Sequence, residues 1–492
     1  MKIGILIAVI LYEVITIVGV GLVLAIKKRK QPGDSGDFAL ANKGLGTIQV
    51  GVTLALTMLG SAHIWGTTQN AFNMGAISVW FGIACTVMMV VICGVTGPAI
   101  RKVGTTTVPD LFGKLFGGKT RTLTACVMAP LVMGCLCLET QCIAVTFQAL
   151  TGWPYWLGAV VGGIFGILYV LIAGMQEVSI LNLINAAFMY VALIVAFIAM
   201  FFYLPEGWEG VQSTIESTGN TWMLSIFGNS DVLLSFAIPS VFCCTLFQGI
   251  SQMGLQTAIA AKDARTVKKS LGWAGIVNGC FCIIPALIGI AAFAIHPELS
   301  DMLAAPTLIV EILPGWVVFL IMGSFLGALL STFAMTCLCP ATVFAHDLYG
   351  GIYDKNVDDK KKVKVMRIMI VVFGLIAIGL SNFQPTVVTT INWIFTWAVP
   401  MFVMAIIGLW WKRNTKAAVI TMIVSWVANV VYVTCGVQTI LGTSNFHQVY
   451  LCLIISVVLG IVLTAVLPGG KQGLLKVLRE RRDAKNAGVA AE

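Results

Sequence analysis

The sequence predicts an all-α polytopic membrane protein with 13 transmembrane helices, on three observations. Charged residues are only 10% of 492 while apolar ones are 58%, and mean hydropathy is +0.95; a soluble domain carries far more charge. Apolar runs of about 20 residues, each long enough to cross a ~30 Å hydrocarbon core, recur from end to end. Of 30 Lys and Arg, 29 lie in alternate links between those runs or in the tail after the last, the bias expected of a chain that crosses and recrosses a bilayer.

The runs cover 3–26, 47–72, 77–100, 122–150, 155–173, 180–204, 232–258, 270–295, 315–346, 365–381, 386–411, 416–436 and 447–467. Basic residues fill the links from Lys27 to Lys43, Arg101 to Arg121, Lys262 to Lys269, Lys355 to Arg367 and Lys412 to Lys416, and the tail from Lys471 to Lys485. Only Lys2 lies on the other side, with Glu206, Glu209, Glu216, Asp231, Glu298, Asp301 and Glu311. The amino terminus is therefore expected outside and the carboxyl terminus in the cytoplasm. The net charge of +9 is an orientation signal and gives no reason to expect nucleic-acid binding.

The first span has its basic cluster after it and no small-residue cleavage site, so it reads as a retained helix, with residues 1–30 including its cytoplasmic flank. Glu13 within it lies nearer the outside and reads as a structural or interfacial acid. The second span is rich in small residues at Gly60, Ser61 and Gly66. A helix that unwinds there would free carbonyls to face an ion or solute, whereas glycine in membrane helices also serves close packing. His63 in the same stretch needs a partner at that depth, as a site residue or as a satisfied packing histidine. The fourth span carries Glu139 and Gln141 near its centre. A carboxyl there faces a partner, a water cavity or a substrate, or is protonated.

Pro239 and Gly249 mark the seventh span as a second broken helix. It starts five helices after the second, and an odd offset reverses direction through the membrane, as an inverted repeat requires. The expected organisation is a five-helix repeat over 47–204, its inverted partner over 232–411, the extra N-terminal helix, two peripheral C-terminal helices over 416–467 and a basic tail over 468–492. In the eleventh span Trp393 and Trp397 line a cavity or pack. The 14 Cys fall in apolar segments without zinc spacing and read as small packing residues.

The ninth span is the most informative. On a 3.6-residue helix Ala328, Ser331 and Thr332 stand at i, i+3 and i+4, which gathers a carbonyl and two hydroxyls on one face. Such oxygens suit a small hard cation without burying a full negative charge. Hydroxyls in membrane helices also bond back to their own i−4 carbonyl, so spacing alone leaves both readings open.

Several motifs are specific. They are G-A-L-L-S-T at 327–332, A-H-D-L-Y at 345–349, Q-T-A-I-A-A-K-D at 256–263, I-L-P-G-W at 312–316, and Pro400 followed after nine residues by W-W-K-R-N-T. Through them the chain resembles the sodium:solute symporter family, with its leucine-transporter-type fold, over nearly its whole length. The resemblance implies co-transported sodium bound by the Ala328 carbonyl and the Ser331 and Thr332 hydroxyls, with carbonyls of Leu56 and Leu59 from the second span. Where many relatives carry Asp after the fifth span, this chain has Asn182, on the gate or exit path. A neutral amide is a weaker cation ligand, which favours one sodium per cycle. The pattern is nearest to choline-transporter-like members, yet Met58 and Leu138 replace the aromatic cage, so the cation–π term is weakened.

The reading is a sodium-coupled importer of a small polar organic solute in the cell membrane, not an enzyme and without an obligatory protein partner. Substrate is expected beside the broken helices, at His63, Glu139, Gln252, Trp393 and Met58. Glu139 with His63 points to an amine-bearing solute: an amino acid, zwitterion or related cation. The alternatives are a carboxylate held by His63, and proton coupling through Glu139 or His63. A membrane sensor would want a cytoplasmic signalling domain, and about 25 residues follow the last run. The scattered His and buried acids give a membrane enzyme little support.

Overall fold

The computed structural model describes residues 2–28, 35–172, 174–278, 281–437, 440, 442 and 445–486. Part of the first basic flank, Arg29 and Lys30 included, and the end of the tail lie outside the described residues. Among the described residues, ten helices are long and apolar enough to cross a membrane, or eleven when a pair bent by 41° counts as one span. Two shorter apolar helices, Thr47–Met58 and Tyr155–Leu171, accompany them. Besides helices there is a two-residue antiparallel pairing of Lys412–Arg413 with Lys471–Gln472, which ties the tail to the loop after the bent pair.

The helices around the centre are α1 (Lys2–Lys28), α2 (Thr47–Met58), α3 (Trp65–Met74), α4 (Trp80–Val91), α5 (Gly118–Thr151) and α6 (Met175–Tyr203). They are followed by α7 (Ile238–Gln248), α8 (Gln252–Ala260), α9 (Asp301–Ile312), α10 (Gly315–Val343), α11 (Val387–Thr396) and α12 (Val399–Trp410). In α10 every residue from Ile321 to Val343 is buried, so this helix is the axis of the molecule. It packs against α5, α6 and α1. Such a helix has no lipid face on which hydroxyls must hide, and Ser324, Ser331, Thr332, Thr336 and Thr342 are all tolerated inside it.

Of the unwinding expected around Gly60, Ser61 and Gly66, the break is found at 59–64, between α2 and α3, while Gly66 lies in the first turn of α3. A Cβ on Gly60 would stand 2.5 Å from Glu139 Oε1 and 2.7 Å from Thr332 Oγ1, so the bare backbone is what lets α5 and α10 close on the break. Freed amides need partners in a dry interior, and His63 N and Ile64 N donate to the Gly60 carbonyl at 3.1 Å. The second break, at 249–251 between α7 and α8, falls at Gly249 and not at Pro239, which sits in the first turn of α7. Ser251 caps α8 by accepting from Gly254 N at 2.9 Å and donates to Gln248 Oε1 at 2.8 Å.

Candidate functional site

Both breaks look onto one small cavity of about 30 Å³. Its wall takes Met58, Ala62 and His63 from the first broken helix, Cys244, Gln248 and Met253 from the second, Glu139 from α5 and Thr332 from α10. Phe81, Cys85, Met88, Cys135, Ile391 and Phe395 complete it. Three of the expected solute contacts, Met58, His63 and Glu139, therefore meet in one place, beside Thr332.

Glu139 is more constrained than sequence reasoning implied. Its carboxylate accepts from Ser61 N at 2.9 and 3.1 Å and from Ser61 Oγ at 2.8 Å. It anchors the unwound turn, as a capping carboxylate does at a helix start. His63 is held by its ring: Nε2 lies 2.6 Å from Cys85 Sγ and the imidazole packs on Phe81, while Nδ1 has no partner among the described residues.

The structure separates the two other expected contacts from this cavity. Gln252 opens α8, accepts from Val108 N at 2.8 Å and donates to Gln256 Oε1 at 3.0 Å, so both ends of its amide are engaged. Trp393 stacks edge-on against Trp397 and lines a separate, larger apolar groove of about 510 Å³ between α5 and α11.

The oxygens of the expected ion site divide into two directions. Thr332 Oγ1 lies 3.0 Å from the Leu56 carbonyl at the end of α2 and 3.2 Å from the Ala328 carbonyl. Ser331, rotated ~100° around the helix, donates from Oγ to Asn182 Oδ1 on α6 at 2.6 Å. Leu59 is fully buried in the break, beyond the last turn of α2. The back-bond to Ala328 and the inter-helix contact to Leu56 are both present, so the hydroxyl of Thr332 links α10 to the broken end of α2.

Two clamps enclose the centre. On the face carrying α9, Gln69 Nε2 and Asn73 Nδ2 of α3 donate to the Asp301 carboxylate at 3.2 and 2.7 Å. Gln69 Oε1 accepts from Val387 N at 3.1 Å, which joins α11 to the same seal. On the basic face Arg121 Nε pairs with the buried Asp347 at 2.7 Å. There Arg101 Nε and Nη2 donate to the Ala261 and Lys262 carbonyls at 2.7 and 2.8 Å.

Sequence reasoning missed Ser61 as the partner of Glu139, and it missed the sulfur-rich wall of Cys85, Met88, Cys135, Cys244 and Met253. The S-A-H run beside Gly60 was the available signal for the first. The second had none, because cysteine and methionine in an apolar span read as packing.

A family model described as the sodium:solute symporter family matches residues 38–425. The chain is 23% identical over 465 residues to the osmoregulated proline transporter OpuE of Bacillus subtilis, covering 89% of this chain and 90% of that one. It is 23% identical over 454 residues to the sodium/glucose cotransporter of Vibrio parahaemolyticus, covering 83% and 81%. Among solved structures, a Na+-coupled sialic acid symporter in its substrate-bound outward-open state superposes with a TM-score of 0.80 at 17% identity, covering 95% of this chain and 99% of that chain. A nucleobase-cation-symport-1 family transporter in a closed conformation gives 0.59 at 14% identity, covering 92% and 96%.

Proposed function

The chain belongs to the sodium:solute symporter family, and from that premise we propose how its own residues carry out the transport. It is a membrane transporter and not an enzyme, sodium is its co-transported ion and a small solute its cargo. Our reading is that sodium binds between α2 and α10, at the carbonyls of Leu56, Leu59 and Ala328 and the hydroxyls of Ser331 and Thr332. The observation that carries it is the Thr332 hydroxyl, which bridges Leu56 and Ala328 at the broken end of α2. Sodium there replaces a weak hydroxyl bridge with a charge that pins the break to α10.

The solute is a small amine-bearing molecule, an amino acid, zwitterion or related cation, seated in the cavity of Met58, His63 and Glu139. That cavity is only about 30 Å³, so the solute enters with the breaks apart. Gln252 and Trp393 act outside it, as a seal on the basic face and as a groove residue. Asn182 is the gate or exit-path residue that feels sodium through Ser331. The path is alternating access in a 13-span chain, amino terminus outside, with inverted five-helix repeats over 47–204 and 232–411. This topology is supported by the two broken helices five spans apart and by the basic loops.

One sodium moving down about 100 mV contributes ~2.3 kcal/mol, and a tenfold gradient ~1.4 kcal/mol more. Together they allow roughly 500-fold accumulation of a neutral solute. The substrate reading is tested with Glu139→Gln in proteoliposomes under a sodium gradient. Uptake of amine solutes should be lost and that of carboxylate solutes kept; equal loss of both assigns Glu139 to the Ser61 anchor alone and refutes the amine reading.

A further inference from the structure

The basic face carries a groove that neither the clamps nor the solute cavity uses. It measures about 380 Å³ and lies where the helix Asp359–Leu380 packs on the helix Tyr155–Ile172. Lys360, Lys364 and Arg367 of the first helix line it together with Val363, Ile368 and Val371, and Leu171 of the second helix faces them. Steps of four, three and four lead from Lys360 through Lys364 and Arg367 to Val371, so these residues form one stripe. The stripe is graded. Its cations occupy the first turns, and Val371 carries it into the apolar span that starts at Asp359. Exposed Leu375 extends it, as does exposed Leu168 one turn from Leu171. Further in the seam is shut, because Gly374 has no side chain and Ile167 fills the space where a Cβ would stand.

The acids of the same segment are engaged elsewhere. Asp358 Oδ1 caps the helix by accepting from Lys361 N at 2.6 Å. Asp354 pairs with Lys361 at 2.9 Å and Asp359 with Lys362 at 3.1 Å. Lys360, Lys364 and Arg367 make no ion pair among the described residues. Like charges three and four apart on a helix repel, so this stripe lacks the counter-charge that the lysines between its members have. Arg367 is also held in place: its guanidinium stacks over Phe38, 5.5 Å from the ring centroid. Stacking on a face leaves the N–H groups at the guanidinium edge free to donate to an anion. The positive-inside bias puts Lys and Arg near a membrane surface. It does not by itself line unpaired cations along one groove while pairing Lys361 and Lys362.

We propose that this groove is a binding site for one anionic phospholipid, with the headgroup phosphate on Lys360, Lys364 and Arg367 and an acyl chain along Ile368, Val371 and Leu171. Charge complementarity selects an anion, and the apolar walls select a lipid. A soluble phosphate would satisfy the cations but leave Ile368, which is 52% exposed, without an apolar partner. Basic pockets between membrane helices hold anionic headgroups by this division of labour. On the topology proposed above, the lipid belongs to the cytoplasmic leaflet.

The inference goes beyond the transport reading and is tested without sodium or solute. The detergent-purified full chain, stripped of lipid, is titrated with dioleoyl phosphatidylglycerol and with dioleoyl phosphatidylcholine, and bound lipid is counted by native mass spectrometry. Wild type should bind one phosphatidylglycerol about tenfold or more tightly than phosphatidylcholine. The triple variant Lys360→Gln, Lys364→Gln, Arg367→Gln should lose that preference. The triple variant Arg265→Gln, Lys268→Gln, Lys269→Gln, which removes the same charge from the helix Ala264–Asn278, should keep it. Cooperative melting in the same detergent checks that each variant is folded. Should the first triple variant fail that check, Lys364→Glu alone, which sets a carboxylate in the middle of the stripe, should weaken phosphatidylglycerol about tenfold. Equal loss in both triple variants makes the attraction a diffuse field of the basic face and overturns the site. Equal binding of the two lipids overturns it as well. Displacement of phosphatidylglycerol by millimolar inorganic phosphate makes the ligand a soluble anion and overturns the lipid assignment.

Discussion

Replacing Thr332 by valine removes one oxygen while keeping shape and volume, at a side chain that is 1% exposed. In potassium, the loss is the hydroxyl's bridge to the Leu56 and Ala328 carbonyls. A net hydrogen bond contributes ~0.5–1.5 kcal/mol, so the sodium-free protein should be destabilised by about 1 kcal/mol. In sodium at a hundred times the dissociation constant, wild type gains ~2.7 kcal/mol by mass action. Interactions of this kind with a charge are worth ~1.5–3 kcal/mol, so losing the ligand should weaken sodium about 10- to 100-fold. The gain then falls to ~1.4 or ~0.4 kcal/mol at the same concentration. The assay is the melting temperature of purified protein in sodium against potassium chloride for wild type, Thr332→Val and Thr332→Ser. The serine variant keeps the oxygen and should keep most of the shift. A valine variant with a full sodium shift would refute the site, because no ion could then be touching that hydroxyl.

Two further outcomes follow from contacts at the breaks and the clamps. Gly60→Ala introduces a methyl between Glu139 and Thr332 at 2.5 and 2.7 Å; overpacking of this kind costs ~1–3 kcal/mol, and sodium stabilisation and uptake should both be lost. Gly272→Ala, with nothing within 4 Å of the new methyl, is the matched control and should be neutral or slightly stabilising in the same melting assay. Asp301→Ala releases Gln69 and Asn73, which should shift the population toward a state open on the α9 face. Alkylation of the cavity residue Cys85 by a membrane-impermeant thiol reagent, followed by peptide mass spectrometry, should then be faster than in wild type; an unchanged rate would mean that this clamp does not hold the cavity shut.

Much of this protein is legible along the chain because a bilayer imposes a one-dimensional code. Length and apolarity mark where a helix can begin, the side on which Lys and Arg fall sets the expected orientation, and neither depends on a distant residue. Gly60, Ser61 and Gly249 marked the helix breaks for the same local reason: a residue without a bulky Cβ is where a ladder of backbone bonds is easiest to interrupt. The i, i+3, i+4 spacing put Ala328, Ser331 and Thr332 on one side of α10. Only the tertiary structure decided where each side chain points. It turned Thr332 to Leu56 and Ser331 to Asn182, tied Glu139 to Ser61, carried Gln252 and Trp393 away from the central cavity and gathered sulfurs into its wall. It also set Glu13 against Gly327, more than three hundred residues away. Such pairings arise from how helices rotate and slide when they pack, and in a chain where nearly every helix face is apolar, hydrophobicity leaves that rotation open. The few buried polar atoms that must find partners settle it, and their partners lie on other helices.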